Sequence, residues 1–199
     1  MLKPADRNRS GFNLRHEAKF LRSWLDRPLT TGAVSPSGRA LARAMAAPVD
    51  PQGSGQVIEL GPGTGPVTQA LIERGVARER LVLVEYAADF VDLLRNRFPG
   101  VTVIQGDAYD VGRTLEGALS GPVAAVVSSL PLLTRPAAQR SRLVSDCFEL
   151  SGADAPFVQF TYGATPPVPL HSGPFHATAG SRIWWNLPPA RVWVYRRKG

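Results

Sequence analysis

Three carboxylates stand where short apolar runs give way to turns: Glu59 in VIELGPGTG, Glu85 in LVLVEY and Asp107 in VIQGDA. A carboxylate at such a strand end can accept from vicinal hydroxyls or from an amino group. The first acid is followed by Gly61, Pro62, Gly63, Thr64 and Gly65, a G-x-G-x-G turn. Glycines between a strand and a helix let backbone approach an elongated ligand. The spacing differs from the G-x-G-x-x-G of dinucleotide sites, and no Lys-Ser/Thr pair follows as a phosphate-cradling loop requires. Glu85 lies 24 residues after Gly61, close to the roughly 20-residue offset at which an acid meets ribose hydroxyls.

The elements that must position these groups alternate. Strands are expected at 57–60, 81–84, 101–104, 123–127 and 157–161, with helices at 66–74, 87–98 and 136–150 between them. Two more helices, 13–26 and 38–47, precede the first strand, separated by the turn TTGAVSPS. Segments 182–185 and 191–195 read as a closing antiparallel pair, after a long loop over 164–181. This order specifies an α/β fold with a mostly parallel sheet covered on both faces. A chain of 199 residues suits one domain with a real core. No apolar run is long enough to cross a bilayer. The N-terminus lacks the apolar stretch of a secretory signal. The single cysteine, Cys147, reads as structural in a reducing compartment.

An acid before a G-x-G-x-G turn resembles the first motif of class I methyltransferases that use S-adenosylmethionine and release S-adenosylhomocysteine. The resemblance implies a Rossmann-like sheet, mostly parallel with a C-terminal antiparallel hairpin and preceded by N-terminal helices. It implies that Glu59 lies near the methionine portion, Glu85 with Tyr86 at the ribose, and Gly106, Asp107 and Ala108 at the adenine. Ser35, in the turn before the first strand, would fold over the sulfonium end. No metal is expected.

The methyl acceptor must be read from the segment after the fourth strand, Ser128-Ser129-Leu130-Pro131-Leu132-Leu133. Enzymes that methylate adenine or glutamine nitrogen carry Asn/Asp-Pro-Pro-aromatic or Asn-Leu-Pro-Tyr here. Serine and leucine replace the amide and the aromatic, and an aliphatic rim offers a base no stacking face. A flexible, non-planar amine is the better fit, with Ser128, Ser129, Leu130 and Tyr162 as the acceptor-side residues. Candidates for taking the ammonium proton are Tyr162, Asp107, His171 and His176. Tyr162 would also offer a ring face to a methylated ammonium.

The net charge of +7 favours an anionic partner, and it is local: residues 1–27 hold seven cations against three acids. A 3.6-residue period groups Leu14, Ala18, Leu21 and Leu25, flanked by Phe20 and Trp24, and sets Arg15, Lys19 and Arg22 apart from them. That is the pattern of a helix lying in a membrane interface, with Arg15, Lys19, Phe20, Leu21, Arg22, Trp24 and Leu25 as its contacts.

With FLRSWLDRP, TGAVSPSGRALARAM, VIELGPGTGPVTQAL, LVEY, GDA, SSLPLL and FTYG, the chain resembles the soluble, peripheral phospholipid N-methyltransferases of bacteria. The resemblance implies a membrane-binding segment over 1–27 and a methyltransferase domain over 28–199. It implies stepwise methylation of phosphatidylethanolamine toward phosphatidylcholine at the inner face of the cytoplasmic membrane, with phospholipid and an anionic surface as partners and no nucleic acid. Two other readings stay open: an rRNA adenine N6-dimethyltransferase and a non-catalytic membrane adaptor.

Overall fold

A computed structural model describes residues 36–171, 173–184, 186 and 188–198. The interfacial helix expected at 13–26, with its seven contact residues, and Ser35 lie outside the described residues.

The described chain forms α1 (Pro36–Ala46), β1 (Gln56–Leu60), α2 (Pro66–Glu73), β2 (Leu81–Glu85), α3 (Ala88–Arg97), β3 (Thr102–Gln105), α4 (Val111–Thr114), β4 (Val123–Ser128), α5 (Ala137–Leu150), β5 (Phe157–Thr161), β6 (Phe175–Ile183) and β7 (Ala190–Arg197). The seven strands make one sheet in the order β3-β2-β1-β4-β5-β7-β6. β1 to β5 pair in parallel, and β7 runs antiparallel to both β5 and β6.

Every residue of β1, β2 and β5 is buried, as a parallel sheet with both faces covered requires. Side chains alternate between those faces. Val57, Leu81, Ala125, Val127, Val158 and Phe160 pack with Leu41, Met45 and Leu71 of α1 and α2. Leu83 continues that face onto Val91, Leu94 and Phe98. On the other face Ile58, Leu60, Val126, Phe157 and Tyr195 meet Leu143, Val144 and Phe148 of α5. Cys147 is buried in that layer, and burial pushes its thiol up, which keeps it an inert packing residue.

The C-terminal hairpin departs from expectation. β6 begins at Phe175, seven residues ahead of the segment expected at 182–185, and ends before Trp184. Its sequence FHATAGSRI has few apolar residues because it is an edge strand with one partner and exposed side chains. The loop expected over 164–181 is therefore short, and it is pinned. The Tyr195 hydroxyl accepts from the Val168 N–H at 3.0 Å, and Arg140 donates to the Pro167 carbonyl.

Candidate active site

The strand order reverses between β1 and β4, and in such sheets a ligand crevice opens at the carboxyl ends beside that switch point. The motif residues lie along that edge: Gly106 to Ala108 after β3, Glu85 on β2, Glu59 to Gly65 on and after β1, Ser128 to Leu130 at β4, and Tyr162 after β5.

The glycine turn is built from left-handed backbone, with φ of 67°, 57° and 82° at Gly61, Gly63 and Gly65. Gly65 then caps α2, and Pro66 begins it without a wasted donor. The turn is held from two sides. Arg97 of α3 donates to the Thr64 carbonyl at 2.7 Å. Glu85 accepts from the Gly63 N–H at 3.0 Å through Oε2, and through Oε1 from the Tyr86 and Ala87 N–H groups at 2.9 and 3.0 Å. Three of a carboxylate's roughly four acceptor positions are thus in use. A ribose diol would take the fourth and compete with the Gly63 N–H. Pro62 accepts from the Gly65 N–H at 2.9 Å, which closes the turn.

Glu59 is fully buried on the central strand, between Leu83 and Val127. Its Oε2 accepts from the Thr68 hydroxyl of α2 at 2.7 Å, while Oε1 is buried without a partner. Desolvation raises its pKa to about 8, with a smaller push from the Glu85 charge, although bonds from Thr68 oppose it. Below the ordinary carboxyl range both the folded and unfolded chains hold this proton. As pH rises from there through about 8, the unfolded chain has released it and the folded chain has not, so stability falls across that window. Thermal melts between about pH 5 and pH 9 should show this decline. Glu59→Gln should flatten it and melt higher than wild type at neutral pH. A variant with an unchanged slope would place the titration elsewhere.

At β3, Gly106 is packed so closely that a Cβ would sit 2.4 Å from Thr114 Cγ2. Asp107 is exposed and its Oδ1 accepts from the Tyr109 N–H at 2.8 Å, capping the next turn. Ala108 is buried, and Tyr86 is 77% exposed.

Ser128 and Ser129 are both buried. The Ser128 hydroxyl lies 3.4 Å from the Leu130 N–H, and the Ser129 hydroxyl has no partner. Ser128 thus helps to shape the turn after β4. Leu130 is the joint between the two halves of the site. Its side chain overlies the glycine turn, since a Cβ on Gly61 would fall 2.9 Å from Leu130 Cδ2. Its carbonyl accepts both the Leu132 N–H at 2.8 Å and Gln159 Nε2 at 3.1 Å. Both lone pairs are used, so this carbonyl has none left for an incoming amino group.

Beyond Leu130 lies a shallow cleft walled by Leu130 to Thr134, Phe160 to Tyr162 and Pro167. Tyr162 meets Phe160 edge-on at 5.5 Å. The other candidate proton acceptors are not here. Asp107 is four strand spacings from β5, about 19 Å. His176 pairs with Arg196 below the first residue of β5, at the opposite end of the sheet. His171 is exposed and does not line the cleft.

Sequence reasoning missed Gln159, Thr68 and Arg97. Gln159 had a signal, a lone amide within the apolar strand FVQFT. Thr68 and Arg97 had none, since their roles depend on how helices dock.

A family model for ribosomal RNA adenine dimethylase matches residues 40–118. The ornithine lipid N-methyltransferase of Singulisphaera acidiphila is 30% identical over 120 residues, 59% of this chain and 62% of that protein. The ribosomal RNA small subunit methyltransferase A of Leptothrix cholodnii is 36% identical over 83 residues, 42% of this chain and 29% of that protein. The chain thus spans less than two thirds of either relative. Among solved structures, the 1,6-didemethyltoxoflavin-N1-methyltransferase of Burkholderia thailandensis superposes with a TM-score of 0.62 at 14% identity, covering 100% of this chain and 94% of that one. The chain has the α/β, Rossmann-like fold of class I S-adenosylmethionine-dependent methyltransferases.

The residues present fit S-adenosylmethionine, the cofactor of enzymes with this fold. The glycine turn, with Glu85 bonded to the Gly63 N–H, has the backbone such a nucleoside would approach, and the buried, unpartnered Glu59 oxygen lies on the strand that leads into it. The two helix layers and the C-terminal hairpin are those of the class I methyltransferase sheet. The rRNA-type model match ends at residue 118, before β4 begins. It covers β1 to β3 of this fold and stops short of the cleft beyond Leu130.

Proposed function

We propose that the protein methylates the amine of a membrane lipid headgroup: phosphatidylethanolamine and its mono- and dimethyl forms, toward phosphatidylcholine. The observation that carries this reading is the acceptor cleft. Its walls are aliphatic from Leu130 to Leu133, the Leu130 carbonyl is saturated, and its aromatic surface comes from Phe160 and Tyr162. A planar base would find neither a stacking partner in the β4 turn nor an acceptor at Leu130. The ornithine lipid N-methyltransferase relative supports a lipid amine as the acceptor class.

S-adenosylmethionine supplies an electrophilic methyl group on its sulfonium. The chain's own work is alignment and desolvation. Leu130, Pro131 and Leu132 exclude water from the acceptor nitrogen, which favours its neutral, nucleophilic form. Tyr162 lines the same cleft, where its hydroxyl can pass the released proton to water and its ring face can hold each methylated ammonium. The segment 1–27 brings the protein to the inner face of the cytoplasmic membrane.

The rRNA adenine reading is favoured by the family model and by the second relative. One assay separates the two. With labelled S-adenosylmethionine and a mixture of phosphatidylethanolamine vesicles and ribosomal RNA, label is expected in the lipid. Label in RNA adenine would overturn the proposal. Removing residues 1–27 is expected to abolish vesicle binding and lipid labelling while leaving cofactor affinity intact.

A further inference from the structure

We infer that the turn between β6 and β7 is a second lipid-contacting element, which seats an anionic phospholipid surface against the mouth of the acceptor cleft. The inference rests on the lipid reading above and is separate from the segment 1–27.

Trp184 in this turn is 71% exposed, and the Arg182 guanidinium lies 5.3 Å from its ring centroid. Trp193 on the neighbouring strand, by contrast, is buried. Strand register fixes where the turn sits. Thr161 pairs with Arg191, and Arg191 with Arg182. That row crosses the carboxyl end of β5, one residue before Tyr162 of the cleft. Trp184 therefore projects from the edge of the sheet that carries the active site, on the acceptor side.

A second exposed aromatic, Tyr86, stands on the same edge after β2. Five strand spacings, about 24 Å, separate β2 from β6, and the cleft between β4 and β5 lies between them. A flat partner touching both aromatics would cover the cleft mouth. Charge points to its sign: Arg182 and Arg191 pair in the strand row at this edge, and residues 155–199 contain no acid. Tryptophan with an adjacent cation is the pairing that suits a headgroup region, where one end is apolar and the other wet. An amine presented from that surface reaches Tyr162 without the lipid leaving the bilayer.

The test uses the full chain carrying Trp184→Ala and Arg182→Gln together. Binding to vesicles of phosphatidylethanolamine and phosphatidylglycerol is expected to weaken roughly tenfold, since one cation alone accounts for about fivefold. Calorimetric affinity for S-adenosylmethionine should not change. Methylation of vesicle lipid should fall with binding, while methylation of detergent-dispersed phosphatidylethanolamine stays at the wild-type rate. Unchanged vesicle binding, with lipid methylation intact in both proteins, would overturn this inference and leave the lipid reading standing. Lost RNA binding with unchanged vesicle binding would overturn it in favour of a nucleic-acid face. If the wild-type protein fails to methylate even dispersed lipid, the lipid reading itself falls.

Discussion

Replacing Glu85 by alanine is expected to weaken S-adenosylmethionine binding by a hundredfold or more. The Glu85 carboxylate does two things at once. It accepts three backbone N–H groups that shape the glycine turn and the start of α3, and it is the acid that the strand-end spacing leads one to expect at the ribose hydroxyls. Hydrogen bonds to a charged acceptor contribute about 1.5–3 kcal/mol each. Two lost ribose bonds then correspond to roughly two to four orders of magnitude in affinity. The released Gly63 N–H should also cost about 1–3 kcal/mol of stability. Titration calorimetry with a parallel thermal melt checks both. Glu85→Gln, which keeps an acceptor oxygen but loses the charge, should fall between the two proteins. A Glu85→Ala variant that binds cofactor at near wild-type affinity would remove this residue from the site.

The second large effect is structural. Gly65→Ala is expected to destabilise the domain by about 2–5 kcal/mol, combining two costs. At φ of 82° the backbone is in the left-handed region, worth about 1–2 kcal/mol against a residue with a Cβ. That Cβ would also lie 2.4 Å from the Phe98 ring. Phe98 is buried among Leu83, Val91, Leu94 and Val103, so it has little room to yield; overpacking of this kind costs about 1–3 kcal/mol. Urea unfolding should show a lower midpoint with an unchanged slope. Gly61→Ala is the informative comparison. Its backbone strain is similar, but its Cβ meets the far end of the Leu130 side chain at the cleft rim. It should lose less stability and disturb the alignment of cofactor and acceptor more. Equal unfolding midpoints for Gly65→Ala and wild type would mean that the turn is not packed on Phe98.

Local pattern carried much of the architecture. The runs Leu81–Val84 and Val123–Val127 are continuously apolar, and Val57–Leu60 is broken only by Glu59, because both faces of a parallel sheet are covered; each lies within an observed strand. β6 escaped because an edge strand with wet side chains has no such signature. The acids at the strand ends were legible by type and spacing, yet their tasks were not. Asp107 stands at the expected strand end but spends one oxygen capping a turn. Ser128 and Ser129 lie in the expected segment but are buried.

The G-x-G-x-G turn, its trailing acids and the alternation of strands and helices, on which the resemblance to class I methyltransferases rests, can be read from the chain alone, because backbone conformation and strand-end chemistry are local properties. Which of those groups share a space is a matter of tertiary packing. Packing set Gln159 on the Leu130 carbonyl, Thr68 and a desolvated setting on Glu59, and Arg97 on the glycine turn. It also carried His176 to the end of the sheet away from the cleft and exposed Trp184 to the end that holds it. Those outcomes depend on strand register and helix docking, which couple residues far apart in the chain and leave no mark on its local pattern.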